Sequence, residues 1–339
     1  MNRLAAVLIP TLDEAASIGE LLAQIARQPA GVITEIMVVD GGSRDTTRAI
    51  VAAAAQRDAR IRLIDNPDRI QSAGLNRAAA ALTSSADTLV RIDAHARYPE
   101  DYVPRVLAAM AAAQVPMLAV RLHTVGGTCL QRGIAAALNS RLGTGGAGHR
   151  VGGASGIVDH GHHAGIDRRW FDMLGGYDTS FVANEDAEFD LRVRRAGGRV
   201  WLQADIAVEY TPRATLGALA RQYWRYGRGR AMTYVKHGER LRLRQAVPPA
   251  AVAAMSIAVV VAPVLPAALI LPMAYLAIVA AATLLLFGRV PVGCTLMAAP
   301  ATVVIHWAWG LGFIVQLIRH VRIGAPGWNG ALHVEGETR

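Results

Sequence analysis

The sequence predicts an α/β fold with a mostly parallel central sheet, followed by C-terminal transmembrane helices. In the first part of the chain, short β-rich runs alternate with alanine- and leucine-rich stretches of helical period. From residue 247 onward the composition is almost wholly apolar. The 339 residues therefore divide into a soluble domain, placed at residues 1–240, and a membrane segment at residues 247–320.

Four β-rich runs are predicted to be neighbouring strands. They cover residues 4–9, 33–39, 61–64 and 87–92, and helical stretches separate them. This alternation implies parallel pairing, and ligands of open α/β sheets lie beyond the carboxyl ends of the strands. We therefore expect the segments that follow the strands to gather at one crevice: residues 11–14, 40–43, 65–69 and 93–95.

The middle of the chain combines a glycine-rich stretch with three predicted helices. Residues 124–165 are rich in Gly, His and Thr, a composition that predicts a mobile segment. Helices are expected from Arg168 to Leu174 and from Glu185 to Ala196, each ended by a pair of glycines. The third helix, Leu216 to His237, interleaves aromatic and arginine side chains, which is typical of a helix at the membrane surface. We term this segment, about residues 215–237, the interface helix.

The apolar region contains three hydrophobic segments, at residues 248–267, 268–287 and 292–318. A transmembrane helix needs about 20 residues, so each segment is long enough to span a bilayer. Three spans would place Arg319, His320 and Arg322 opposite the catalytic domain, against the tendency of cytoplasmic loops to be basic. One re-entrant segment would remove this conflict, and a very apolar soluble domain is the alternative to any span. Residues 321–339 are predicted to form a polar tail.

The net charge of +9 is concentrated between Arg192 and Arg244, immediately before the apolar region. Positive charge at that place suits an anionic membrane surface better than nucleic acid. We therefore expect the lipid bilayer as a partner, and no nucleic acid.

The two cysteines and the N-terminus bear on the compartment. Cys129 and Cys294 are isolated in the sequence, so we expect neither a disulfide nor a paired-cysteine metal site, and a reducing compartment. The apolar run at the N-terminus is short and is interrupted by Pro10. We interpret it as a first strand and not as a signal peptide, and expect a cytoplasmic catalytic domain.

Acidic residues at strand ends are the candidate ligands of a nucleotide. The sequence contains no glycine-rich dinucleotide fingerprint and no P-loop, which argues against dinucleotide oxidoreductases and P-loop NTPases. Asp40 follows the second strand, where a carboxylate can accept hydrogen bonds from a base or ribose. The same Asp-Gly-Gly-Ser sequence is also compatible with an ordinary turn.

Asp93 and His95 are the candidate metal ligands. They lie on alternate residues of an extended segment, so both side chains point the same way. A carboxylate and an imidazole suit Mn²⁺ or Mg²⁺ bound to diphosphate oxygens. The alternative is that His95 is an ordinary loop residue.

Candidate acceptor contacts come from the helices and from a histidine-rich segment. Acidic residues 185 and 186 begin a helix, where they also complement the helix dipole. Gln222 and Arg225 share a helix face that could bind a diphosphate or simply meet the membrane surface. Residues 159–163 match neither a zinc pattern nor a nucleophile elbow, so acceptor contact is favoured only over a metal or nucleophilic role.

Taken together, these segments resemble the inverting family 2 glycosyltransferases of GT-A fold. The resemblance is particularly to bacterial membrane-associated enzymes of exopolysaccharide assembly, such as the succinoglycan-type glucosyltransferases. It runs from about residue 5 to 235. It is based on five ordered segments: residues 8–14, 38–47, 93–95, 184–186 and 222–226.

This resemblance implies roles for particular residues. The nucleotide sugar would be bound by Pro10, Thr11, Leu12, Glu14, Asp40, Arg69 and Asp93. Asp93 and His95 match the metal-binding Asp-x-Asp positions, with His95 replacing the second aspartate, and would hold Mn²⁺ or Mg²⁺. Asp186 matches the catalytic base. The acceptor or its diphosphate would contact Glu185, Gln222, Arg225 and Tyr226, where Tyr226 replaces the tryptophan of the Gln-x-x-Arg-Trp motif.

The function implied is transfer of a sugar from a nucleotide-diphosphate sugar, expected to be a UDP-sugar, to a polyprenyl-diphosphate-linked saccharide. The enzyme would be a multi-pass protein of the inner membrane, with its catalytic domain on the cytoplasmic side. The alternatives are a polyprenyl-phosphate sugar synthase and a catalytically inactive nucleotide-sugar-binding membrane scaffold. The substitution at His95 makes the latter conceivable.

Overall fold

The computed structural model describes residues 3–29, 31–238, 241–288 and 291–323. The first part of the chain alternates strands and helices as expected: β1 (Ala5–Thr11), α1 (Ile18–Ala26), β2 (Ile33–Asp40), α2 (Thr47–Ala55), β3 (Ile61–Asp65), α3 (Gln71–Ala80) and β4 (Thr88–Arg91). The next elements are β5 (Ala96–Arg97), α4 (Tyr102–Ala113), β6 (Met117–Thr124), α5 (Cys129–Leu138), α6 (Arg141–Thr144), α7 (Gly148–Val151), β7 (Gly156–Val158) and β8 (His162–Asp167). They are followed by α8 (Arg168–Met173), α9 (Glu185–Arg195), β9 (Val200–Tyr210) and α10 (Leu216–His237).

Within the described residues, nine strands form one sheet in the order β3-β2-β1-β4-β8-β6-β9-β5, with β7 beside β9. The four strands predicted from the sequence pair in parallel, and β8 runs antiparallel to β4 and β6. The register places Thr11 opposite Asp40, and Asp40 opposite Asp65. The carboxyl ends of these strands therefore meet at one edge, as the strand–helix alternation predicts.

Both faces of the sheet are covered by apolar side chains. Alternate residues of β1 contribute to the two layers, with Val7 on one face and Leu8 on the other. Helices α1 and α4 cover the first face, and α3 and α9 cover the second. Burial on both faces explains why the strands read as nearly continuous apolar runs.

Three helical segments are long and apolar enough to cross a membrane: Leu243–Val261, Pro266–Leu284 and Val292–Val321. They comprise α11 (Leu243–Val261), a 3₁₀ turn (Pro266–Leu269), α12 (Ile270–Leu284), α13 (Val292–Thr295) and α14 (Ala298–Ile323). Many of their large apolar side chains are exposed, Val260 of α11 by 78%, which suits contact with lipid. The first segment begins before the predicted residue 248 and ends before Pro263 and Pro266. Most of the predicted polar tail, residues 321–339, lies outside the described residues.

The interface helix α10 has the predicted bounds, and one of its faces is covered by α14. Glycines allow the two backbones to approach closely. A Cβ atom added to Gly227 would lie 2.0 Å from the carbonyl oxygen of Trp309, and one added to Gly312 would lie 2.4 Å from that of Trp224. Helix α5 packs on the same cluster through Ile134. The catalytic domain and the apolar helices therefore share a packed interface.

The expectation that the two cysteines are isolated is wrong. Cys129 and Cys294 form a disulfide across 165 residues of sequence, with Cα atoms 4.9 Å apart. The physical reason is that α5 lies against α13 and α14: a Cβ atom on Gly133 would be 2.6 Å from the Cys294 carbonyl oxygen. The bond also removes the basis for expecting a reducing compartment.

The expectation that residues 124–165 form a mobile segment is also wrong, because this stretch contains three helices and two strands. Strand β8 lies inside the sheet between β4 and β6, and His163 is fully buried. Gly165 provides space: a Cβ atom there would lie 2.5 Å from the Met110 sulfur. This glycine permits close packing instead of flexibility.

Candidate active site

The turn after β2 is organised by Asp40. Its buried carboxylate accepts hydrogen bonds from the backbone N–H groups of Gly42 and Ser43, both at 3.1 Å, and from Arg48 at 2.8 Å. Burial acts to raise the pKa of Asp40, but the bonds from Ser43 and Arg48 outweigh it and the pKa is lowered. Arg48 also pairs with Asp65, so it joins the ends of β2 and β3.

The loop after β1 is bonded to the same turn. Pro10 and Thr11 end β1, and Leu12 is half exposed at the loop. The backbone N–H of Glu14 donates to the Thr47 hydroxyl at 2.8 Å. Asp13, in the left-handed region with φ of 53°, accepts a bond from a backbone N–H of the β2 turn. The two loops are therefore bonded to each other beyond the ends of β1 and β2.

Arg69 lies across the two glycines of this turn. A Cβ atom on Gly42 would be 3.4 Å from the Arg69 guanidinium, an ordinary contact distance, so it is the φ of 85° that favours glycine at this position. Arg69 is exposed and also has a positive φ of 55°. An exposed guanidinium beyond the strand ends is suited to a phosphate ligand.

Asp93 lies just beyond β4 and is mostly buried. Its carboxylate accepts hydrogen bonds from Arg91 Nε at 3.3 Å and Gln71 Nε2 at 3.2 Å, and His162 Nε2 is 3.9 Å away. Burial acts to raise the pKa of Asp93, but the charges of Arg91 and His162 lower it to about 2. Asp93 is therefore ionised at neutral pH.

Arg91 connects Asp93 to the start of α9. Besides bonding Asp93, it contacts Glu185 through Nη1 and Oε1 at 3.2 Å, and the arginine is only 7% exposed. The ion bridge brings the end of β4 to the helix that carries Asp186. Sequence analysis missed this residue, although an arginine within an apolar strand signals a buried ion pair.

Asp186 is a partly exposed residue in the first turn of α9. Burial acts to raise its pKa, but the nearby His160, His163 and Arg91 outweigh this and hold the pKa well below its usual range. Glu185, beside it, has its pKa raised by burial and by the charge of Asp186. The arrangement leaves Asp186 as an ionised carboxylate that can accept a proton.

The segment before Asp186 is fixed by the interface helix. Asn184 has φ of 65° and donates through Nδ2 to the Tyr226 carbonyl oxygen at 2.7 Å. A Cβ atom on Gly229 would lie 2.2 Å from the Ala183 carbonyl oxygen, so α10 lies directly against this segment. Contact with α10 supports a backbone conformation that is costly for a non-glycine residue.

The predicted acceptor residues on α10 differ in their surroundings. Gln222 Nε2 donates to the hydroxyls of Tyr226 at 3.0 Å and Tyr210 at 3.1 Å. Arg225 is exposed and makes no hydrogen bond or ion pair with any residue in the described ranges. Gln222 and Tyr226 therefore form a hydrogen-bonded group.

A histidine network that sequence analysis did not predict supports α9 from behind. His163 bonds Tyr177 at 2.7 Å and Asp190 at 3.0 Å, and His160 bonds the other oxygen of Asp190 at 3.0 Å. Asp190 is fully buried and lies one turn after Asp186. The spacing of the two aspartates at i and i+4 is the only sequence signal for this network.

His95 lies where a metal ligand is expected. Its Nδ1 atom is 2.9 Å from Glu14 Oε1, and this bond, opposed by burial, raises the pKa of His95. A carboxylate bonded to one ring nitrogen leaves the other for a metal. In the part of the chain that the structure describes, no three His, Cys, Asp or Glu side chains form a complete metal site. Asp93 and His95 supply a carboxylate and an imidazole, donor types that suit a divalent ion whose other ligands would be diphosphate or water oxygens.

Comparisons with known proteins agree with this architecture. The profile of glycosyl transferase family 2 matches residues 6–175. Succinoglycan biosynthesis protein ExoA of Rhizobium meliloti (strain 1021) is 40% identical over 323 residues, which cover 92% of this chain and 94% of that protein. Undecaprenyl-phosphate 4-deoxy-4-formamido-L-arabinose transferase of Pseudomonas paraeruginosa is 35% identical over 108 residues, 31% of each chain.

Among solved structures, mannosyltransferase PcManGT from Pyrobaculum calidifontis, in complex with GDP-Man and Mn²⁺, has a TM-score of 0.55. It is 19% identical, and the match covers 95% of this chain and 88% of that chain. This similarity concerns the fold and confirms the predicted fold class. The family match and the long, similar relative establish that the chain belongs to glycosyl transferase family 2 and is a glycosyltransferase of GT-A fold.

Proposed function

We propose that the protein is an inverting enzyme that transfers a sugar from a nucleotide-diphosphate sugar to a lipid-linked saccharide. The observation that carries this proposal is the Arg91 bridge, which joins Asp93 to the helix of Asp186. Two ionised carboxylates are thereby linked through one buried arginine, in a chain that also has helices apolar enough to span a membrane. The similarity to a succinoglycan biosynthesis protein supports a role in exopolysaccharide or other glycan assembly.

In the proposed reaction, Asp186 accepts the proton of an acceptor hydroxyl. The hydroxyl oxygen forms a bond to the anomeric carbon as the bond from that carbon to the donor's phosphate oxygen breaks. The electron pair leaves with the nucleoside diphosphate, and attack from the opposite face inverts the anomeric centre. Asp186 is suited to this role because it is ionised at neutral pH and partly exposed.

The donor would bind at the loops beyond the strand ends. Pro10, Thr11 and Leu12 would line one side, and Asp40 would hold the turn that faces the nucleotide. UDP is the nucleotide that we propose. Arg69, exposed over the glycines, would stabilise charge on the departing diphosphate.

We propose Asp93 and His95, supported by Glu14, as the residues that would hold Mn²⁺ or Mg²⁺. Such an ion supplies Lewis-acid stabilisation of the diphosphate when bound. The complex of the mannosyltransferase PcManGT with GDP-Man and Mn²⁺ supports a divalent ion as cofactor.

On the acceptor side, Gln222, Arg225 and Tyr226 would contact the saccharide or its diphosphate. Glu185 would act through Arg91 as a positioning residue, since its carboxylate is bonded to that arginine. The acceptor proposed is a polyprenyl-diphosphate-linked saccharide.

We propose a multi-pass inner-membrane protein with its catalytic domain on the cytoplasmic side. Support comes from the arginines between residues 221 and 244, which immediately precede the first apolar helix. Short basic segments beside a span favour the cytoplasmic face. Cleavage of the catalytic domain by protease added to intact spheroplasts would contradict this orientation.

The central experiment incubates membranes containing the protein with a panel of nucleotide sugars and Mn²⁺. Release of nucleoside diphosphate and entry of label into the lipid fraction are measured together. Asp186→Asn should abolish transfer while nucleotide binding is kept, and Asp172→Asn, on an exposed side chain of α8, should leave transfer unchanged. Unchanged transfer in Asp186→Asn would overturn the proposed base, and no release across the panel would favour the inactive scaffold.

A second candidate is a polyprenyl-phosphate sugar synthase. The observation that favours it is the similarity, over 108 residues, to an undecaprenyl-phosphate transferase. Its product would carry the sugar on a polyprenyl monophosphate, and mild acid would release the sugar from that phosphate. A labelled lipid that is cleaved in mild acid, made from polyprenyl phosphate alone, would select this candidate.

A further inference from the structure

A small basic cavity lies beside the catalytic helix. It has a volume of about 40 Å³ and opens between α9, α10 and the start of α11. Its lining includes Arg194, Arg230, Arg242 and Arg244, with Asp159 as a carboxylate. A cavity needs about 10–15 Å³ of such volume to hold one water molecule, so this cavity has room for a group the size of one phosphate.

Asp159 does not balance the positive charge of the cavity. It forms an ion pair with Arg242, and Arg244 Nη2 lies 3.8 Å from the same carboxylate. Two further guanidinium groups, those of Arg194 and Arg230, face the cavity. The cavity therefore has excess positive charge.

Arg194 and Arg230 lack hydrogen-bond acceptors there. Arg194 Nε is buried and has no hydrogen-bond partner. Arg230 makes no hydrogen bond or ion pair with any residue among those that the structure describes, although Asp186 and Asp190 act on it electrostatically. A buried donor without an acceptor costs about 1–3 kcal/mol, so the buried Nε of Arg194 favours an anion in the cavity. Arg230, which is half-buried, adds positive charge that no ion pair with a described residue balances.

The position of the cavity indicates which anion it would take. Ala187, the residue after the proposed base, contributes to the lining, and the first apolar helix begins at the rim with Leu243. The donor-side loops, which end β1 to β4, contribute none of its described lining residues. The cavity thus lies on the acceptor side, between the base and the apolar helices.

We propose that Arg194, Arg230 and Arg244 bind a phosphate group of the lipid-linked diphosphate acceptor. This inference rests on the proposed function and deepens it, because it assigns the phosphate of the acceptor to the cavity beside α9. A guanidinium binds phosphate oxygens through paired N–H donors, which suits this ligand. Bound there, the diphosphate would hold its saccharide beside Asp186.

The test uses the full-length protein in nanodiscs of zwitterionic lipid, with UDP present at saturation. Farnesyl diphosphate and inorganic pyrophosphate are the probes, and farnesol is the uncharged control. We expect Arg230→Gln and Arg194→Gln to weaken binding of farnesyl diphosphate by about tenfold or more. Arg221→Gln, an exposed arginine of the same helix, should bind as the unaltered protein does.

The probes separate the possible sources of the phosphate. Tighter binding of farnesyl diphosphate than of pyrophosphate assigns the cavity to a lipid-linked group. Equal binding of the two assigns it to free diphosphate and overturns the lipid part. Binding of farnesyl diphosphate that persists unchanged in both variants, or that phosphatidylglycerol vesicles compete away, overturns the proposal.

Two further measurements distinguish failure of the phosphate site from misfolding of a variant and from failure of the proposed function. Arg230→Lys keeps the charge and should restore part of the binding, and UDP affinity reports whether each variant is folded. In transfer assays the arginine variants should raise the KM for the acceptor and leave donor hydrolysis without acceptor unchanged. If Asp186→Asn abolishes transfer while Arg230→Gln leaves the acceptor KM unaltered, only the phosphate site is wrong.

Discussion

At the scale of single residues, Arg91 determines how the site is assembled. It is buried between two carboxylates that come from distant parts of the chain, Asp93 and Glu185. Removing one partner of a buried ionic group leaves the others without compensation, which costs more than the net value of the bridge. The residue therefore affects both stability and the position of Asp186.

We predict that Arg91→Gln lowers the free energy of unfolding by about 3–5 kcal/mol and greatly reduces transfer. Denaturant unfolding of the detergent-solubilised protein measures the free energy of unfolding. The label that enters the lipid fraction measures transfer. Arg105→Gln, a partly exposed arginine paired with Asp205, is the matched control and should cost about 1 kcal/mol at most. Equal effects from the two variants would contradict the role of Arg91.

At the scale of elements, the first half of α9 is linked to α10 at two places. Asn184 contacts the middle of α10, and Glu188 binds Lys236 and His237 near the end of that helix, at 3.1 Å and 2.8 Å. Glu188 also pairs with Arg192 within α9. The helix that carries the proposed base is thereby fixed to the interface helix.

The Glu188 link predicts a pH dependence of stability. Burial acts to raise the pKa of Glu188, but His237 and Arg192 lower it from 4.5 to about 2. Because the folded pKa is depressed, the stabilisation is complete above pH 4.5 and is lost as the pH falls towards 2. It amounts to about 3 kcal/mol.

Unfolding of the unaltered protein and of Glu188→Gln should be compared at several pH values. The stability difference should be largest near neutral pH and should shrink as the solution becomes more acidic. A difference that is constant between about pH 7 and pH 3 would contradict this link.

Close contact between α10 and α14 gives a third prediction. Gly227→Ala should destabilise the protein by about 1–3 kcal/mol, because the new Cβ atom would lie 2.0 Å from the Trp309 carbonyl oxygen. Gly217→Ala in the same helix has only Arg221 nearby, at 3.8 Å, and should be neutral or stabilising. Thermal unfolding of both variants measures the effect, and equal midpoints would show that the helices can separate without cost.

At the scale of the whole molecule, the features predicted from sequence are those encoded locally. The first four strands, the bounds of α10 and the gathering of these strand ends follow from hydrophobic period and from parallel pairing, whereas the later strands β5 to β9 were not predicted. The Arg91–Glu185 bond, across 94 residues, and the disulfide depend on partners that no local pattern connects. The histidine network around Asp190 was missed for the same reason, since its meaning depends on burial.

The disulfide between Cys129 and Cys294 encloses a large part of the polypeptide, including α9, α10 and the first two apolar helices. In the chain-entropy account, such a bond disfavours the denatured ensemble by about 5 kcal/mol. A single proteolytic nick anywhere between the two cysteines would leave the fragments covalently joined. On a denaturing gel the nicked protein should remain one species without reductant and separate into two when dithiothreitol is added. Separation without reductant would show that the thiols are free.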